Sequence, residues 1–199
     1  TRVAYFFRVE FQQDGEIEIR LCIRGNHFLP NGHVKREFPH LVILNVSRVE
    51  WEHEKRVVAT LAHELSHLLE YKSPHAPALL KNAFEKILAP RHWEVKSPKW
   101  KHLFSEAVIS SIASRSYEES YLGQGVFRVP TSTRVRAQKP SREVQEGNYA
   151  PFIWEVGNLL LPLTTEYLNS SRPMDEAYAE TVAHAWVNVG EKYGFQTRA

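Results

Sequence analysis

The stretch Thr60-Leu-Ala-His63-Glu64-Leu-Ser-His67-Leu68-Leu69 constrains this chain more than any other. It contains HExxH, two histidines four residues apart with a glutamate directly after the first. On an α-helix, residues i and i+4 lie on one face. His63 and His67 can therefore hold one metal ion between them, and Glu64 projects where it reaches a water on that ion. Zinc suits two imidazoles, and a catalytic zinc keeps a position open for water. The ion lowers the water's pKa, and the glutamate removes its proton during attack on a carbonyl. Leu61, Leu65, Ser66 and Leu68 are uncharged and Leu69 is apolar, as burial of such a helix requires. A buried helix with two incidental histidines would have to sequester both imidazoles with no ligand to satisfy them, which is unfavourable.

At every position, Thr60 included, this string resembles the extended signature of the zincin metallopeptidases. The resemblance implies an α+β, zincin-like fold: a small mixed or antiparallel sheet packed on the HExxH helix, then a mainly helical C-terminal part. It implies a zinc-dependent endopeptidase with one Zn2+ per chain, Glu64 as general base, and a protein or peptide substrate. A protein that keeps this scaffold for binding or regulation and has lost turnover is the rival from another class. An intact Glu64 argues against it, since a decayed site should lose the base first.

The 199 residues suffice for one full core, and a single domain over 1–199 is expected: sheet plus HExxH helix at 1–71, a mainly helical part at 72–199. No apolar run approaches the roughly 20 residues of a membrane span, so no membrane partner is expected. Cys22 is the only cysteine, which excludes an internal disulfide and a cysteine metal cluster. With no signal-peptide pattern at the given N-terminus, this favours a cytoplasmic location. A formal net charge of +2 is too small to argue for nucleic acid.

Along the chain, Val3, Tyr5, Phe7, Val9 and Phe11 alternate with Ala4, Phe6, Arg8 and Glu10. That period of two predicts a strand. Asp14-Gly15 is a hairpin turn signal, and Ile17, Ile19, Leu21 and Ile23 alternate with charged residues. An antiparallel hairpin with one buried and one wet face follows. Residues 25–39 read as a loop and Leu41–Val46 as an interior strand. Ser47-Arg-Val-Glu50 has the form of a capping box, opening a helix through HExxH to about Tyr71. Helices are expected from Pro77 to Leu88, from Lys101 to about Ser114, over Ile153–Leu168 with a bend or break at Pro162, and after Pro173. Residues 91–101 mix Trp93 and Trp100 with lysines and an arginine, a solvated loop rather than a nucleic-acid surface. Residues 115–150 are polar and rich in helix breakers, and read as an exposed loop.

A third protein ligand must complete the metal site. Glu70 and Ser73 stand where the metzincin pattern needs glycine and histidine, which excludes that arrangement. The segment Glu176-Ala-Tyr-Ala-Glu180 resembles the E-x-x-A-E helix of gluzincins, including the lethal-factor-like toxins. That resemblance implies Glu176 as zinc ligand and Glu180 as the residue behind it that orients the site. His67-Leu-Leu-Glu-Tyr-Lys-Ser-Pro-His75-Ala-Pro also resembles the spartan-like proteases of DNA–protein crosslinks, which would make His75 the ligand and nucleic acid a partner. Glu106, in Phe104-Ser-Glu-Ala-Val, ranks third: its distance from the motif suits gluzincins, but its surroundings lack a second acid. The weighing favours Glu176. For the oxyanion donor that peptide hydrolysis needs, Tyr167, Tyr178 and His184 remain open.

Overall fold

Val42 and Leu44, both fully buried, mark the middle of a three-stranded sheet. The computed structural model describes residues 2–10, 16–24, 31–34, 37–38, 40–47, 54–91, 100–113 and 150–193. Strands β1 (Glu18–Arg24), β2 (Asn31–Val34) and β3 (Leu41–Ser47) lie in the order β1-β3-β2. β3 is the interior strand that its apolar run predicted. β1 runs parallel to it, with Glu18 opposite Leu41 and Arg24 opposite Ser47. β2 runs antiparallel, with Asn31 opposite Asn45 and Val34 opposite Val42.

Six α-helices complete the described architecture: α1 (Arg2–Phe6), α2 (Glu54–Lys72), α3 (Ala76–Ala83), α4 (Trp100–Ile112), α5 (Ala150–Asn169) and α6 (Glu176–Lys192). A π-helical turn, Phe84–Leu88, and a 3₁₀ turn, Ala89–Arg91, extend α3. The fold is mixed α+β and mostly helical. Among the described residues no helix is long and apolar enough to cross a membrane.

The HExxH helix α2 is wedged between two cores. Val57, Leu61 and Leu65 recur every four residues and pack beneath Val42 and Leu44. Leu69 instead joins the larger helical core. There Trp186 of α6 meets the edges of Phe104 and Phe152, with ring centroids 5.4 and 4.6 Å apart. α5 runs unbroken through Pro162, whose side chain is exposed. Gly157 brings α5 hard against α4: a Cβ there would lie 2.9 Å from Ser110 Cβ and 3.3 Å from the Ala107 carbonyl oxygen. α4 thus turns Ala107 and Ser110 to α5 and leaves Glu106 for α2.

Three expectations fail in the N-terminal part: the first strand, the antiparallel hairpin and the unbroken loop over 25–39. Residues 2–6 are helical, not a strand. Phe6 and Phe7 are both fully buried, which a two-residue alternation cannot arrange. Phe6 packs edge-on to Tyr178 at 5.0 Å and Tyr167 at 6.3 Å. Arg8 closes the helix in the left-handed region (φ 55°). The Val9 and Arg8 amides donate to the Ala4 and Tyr5 carbonyls at 2.9 Å each, a Schellman arrangement. With its hairpin partner coiled into α1, β1 pairs with β3 instead, and Ile19 and Leu21 stay 44% and 46% exposed. Within the predicted loop 25–39, residues 31–34 form β2, which its pairing with β3 sustains despite the glycine. The Asp14-Gly15 turn, the capping box beyond Ser47, most of the basic–aromatic stretch and the polar segment from 114 to 149 lie outside the described residues.

Candidate metal centre

The i, i+4 spacing does what it predicts. His63 and His67 share one face of α2, with ring centroids 4.8 Å apart and their Nε2 atoms 3.1 Å apart. α4 crosses this face, and Glu106 closes the group: Oε2 lies 3.2 Å from His63 Nε2 and Oε1 lies 3.1 Å from His67 Nε2. These three residues form the one group of potential metal ligands among the described residues.

Zinc holds nitrogen and oxygen donors at about 2.0–2.1 Å in a tetrahedron, whose edges are then about 3.3 Å. The two Nε2 atoms lie 3.1 Å apart and each is 3.2 or 3.1 Å from a different oxygen of the Glu106 carboxylate; with one donor atom taken from each residue, the set lies within 4.8 Å. The donor chemistry also fits, since two imidazoles with one carboxylate is a known catalytic zinc set.

The electrostatics of the group favour a positive charge among its donors. Burial, the largest single influence on His67, opposes its charged form. The hydrogen bond to Glu106, the nearby Glu70 carboxylate and the charges of both acids outweigh that, and the imidazole is pushed up to about 10. Burial likewise works to raise Glu106, but the hydrogen bonds from His63 and His67 hold its carboxyl well below the usual carboxylate range. A metal entering this group must displace the His67 proton.

Glu64 sits beside this face, not on it. Successive helical residues turn by about 100°, which places Glu64 between the metal-facing histidines and the sheet-facing leucines. It is buried (6% exposed) against β2. Gly32 makes this possible: a Cβ at that position would lie 2.3 Å from Glu64 Cγ and 2.8 Å from Oε1. Burial, the first cause, raises the Glu64 carboxyl above its ordinary value; His63 and His67 partly counter this, and Glu106 adds to it.

Glu176 and Glu180 are not brought to the histidines. Glu176 has a 76% exposed side chain, 4.0 Å from Lys86 Nζ, and Lys86 also donates to Glu180. The apolar face of α6 (Ala179, Val182, Ala183, Trp186) is what enters the core, so its acidic stripe meets solvent and Lys86. His75 is exposed at the N-terminus of α3. None of the three oxyanion candidates joins the group. Tyr167 donates to Asp175 at 2.9 Å, Tyr178 is sealed against Thr164 at 2.6 Å, and His184 is exposed on α6.

Two residues near the histidines carry no sequence-level role. Glu70, one turn beyond His67, is buried, accepts a hydrogen bond from Ser105 and lies 3.7 Å from His67 Nδ1. Gly32 lies in a segment that reads as loop. The i, i+3 spacing of His67 and Glu70 was the available signal for the first; nothing local marks the second.

No protein-family model, no curated protein and no solved structure matches this chain.

Proposed function

We propose that this protein is a zinc-dependent hydrolase of peptide bonds, of zincin type, holding its ion on His63, His67 and Glu106 with Glu64 as general base. The observation that carries this reading is the convergence of the two Nε2 atoms and the Glu106 carboxylate, one donor from each residue within 4.8 Å of the others, with a buried carboxylate directly beside them. Bound there, zinc would polarise a carbonyl and acidify a water. Glu64 would take that water's proton and return it to the leaving amine. Gly32 leaves room for its carboxylate, and Ser66, whose hydroxyl donates to the Ala62 carbonyl at 2.8 Å, stays out of the chemistry.

Titration of chelator-treated protein with zinc tests the reading. About one ion per chain should bind. Binding should be tighter near pH 8 than near pH 6, because the ion competes with the proton on His67. Hydrolysis of casein or a quenched fluorescent peptide should be lost on chelation and return with zinc. A protein that takes up no ion at either pH would sink the proposal.

A second expectation concerns β2. Gly32→Ala should displace the Glu64 carboxylate by forcing apart atoms that now allow no Cβ. Turnover should fall by about 10²-fold, the typical effect of misplacing a reacting group by about 1 Å. Zinc content should stay the same, since position 32 supplies no ligand. Parallel loss of zinc and activity would show that β2 supports the metal group rather than the base.

A further inference from the structure

We propose that Glu70, held by Ser105, is a positioning residue that fixes the His67 imidazole for ligation through Nε2, an inference that rests on the metal-site reading above. Glu70 is 6% exposed on the HExxH helix, and burying a carboxylate is unfavourable unless it is paired. Its Oε2 has two neighbours: the Ser105 hydroxyl, which donates to it, and His67 Nδ1 at 3.7 Å. Ligation through Nε2 places the remaining ring proton on Nδ1, the nitrogen that faces Glu70. At 3.7 Å the carboxylate lies just beyond hydrogen-bond distance of Nδ1, so its charge favours that tautomer, and a closing movement of a few tenths of an ångström would place it on the proton, limit ring rotation and make Nε2 a stronger donor to a metal. Tyr71 stacks on the same ring, with centroids 6.1 Å apart and planes 30° apart.

The two roles are split between helices. The ligand Glu106 and the clamp Ser105 are adjacent on α4, while the orienting acid belongs to α2 itself, three residues past the histidine it orients. One face of α4 therefore supplies the third ligand and locks the acid behind the second.

Zinc affinity by chelator competition, with ¹⁵N–¹H NMR of the zinc-loaded His67 ring, decides the matter. Glu70→Gln should weaken zinc binding by about 10- to 100-fold and shift the Nδ1 resonances of His67. Glu70→Asp keeps the charge with a shorter reach and should recover part of the loss, and Ser105→Ala should give a smaller loss in the same direction. Wild-type protein that binds no zinc would remove the metal-site reading and this inference together. Wild-type protein that binds zinc, with Glu70→Gln binding equally well and unchanged His67 resonances, would overturn this inference alone. Should Glu70→Gln fail to fold, the wild-type Nδ1 proton decides: slow exchange with water supports the clamp, and fast exchange overturns it.

Discussion

Exchanging Glu64 for glutamine should leave the fold and the bound zinc in place while peptide hydrolysis falls by about 10²- to 10⁴-fold, the contribution typical of a positioned general base. The substitution nearly preserves shape, which matters at a side chain 6% exposed and pressed against Gly32. What it removes is the ability to accept a proton. Burial raises the Glu64 carboxyl, so the base loses its charge, and the reaction its proton acceptor, as pH falls through a range above that of an ordinary glutamate. Measuring kcat and KM on a fluorogenic peptide alongside elemental analysis separates the base from the metal: kcat should carry the loss, with zinc content unchanged. A Glu64→Gln protein as active as the wild type would exclude Glu64 from the chemistry.

Removing Glu106 should have the largest effect on metal binding of any carboxylate among the described residues. Its two oxygens stand 3.2 and 3.1 Å from the two histidine nitrogens, and no other acid belongs to the group among the described residues. Glu106→Ala should therefore weaken zinc binding well beyond the roughly 10- to 100-fold of an orienting partner. Glu176→Ala and His75→Ala should leave it nearly unchanged, because both side chains are exposed away from that group. Isothermal titration of the three variants ranks them directly. If Glu176→Ala empties the site and Glu106→Ala does not, the ligand set proposed here is wrong and the C-terminal helix must reach the histidines in solution.

The same comparison separates local from long-range information. Spacing within one helix is local: the i, i+4 offset of His63 and His67 dictates a shared face wherever the helix packs, and the two nitrogens do meet. The largely apolar run of β3 likewise read correctly as interior: β3 pairs with β1 on one edge and β2 on the other, and its Val42 and Leu44 are fully buried. The alternation at residues 3–11 misled because the residues that are buried, Ala4, Phe6 and Phe7, share one side of a helix but fall on both faces of a strand, and burial beside Tyr178 selects the helix.

The acid that meets the two histidines belongs to the other category. Glu176 and Glu106 are both acids on helices with apolar neighbours, and no feature of either segment says which helix crosses the histidines. That choice was made by packing: Gly157 draws α5 onto Ala107 and Ser110, which turns Glu106 toward α2, while Trp186 and Val182 claim the inner face of α6 and leave Glu176 to Lys86. The sequence by itself determined the HExxH helix, its two histidines and the glutamate between them. Only the tertiary structure decided which acid meets the two histidines, the serine that holds Glu70 and the glycine beside Glu64, because each depends on two segments distant in sequence meeting within a few ångströms.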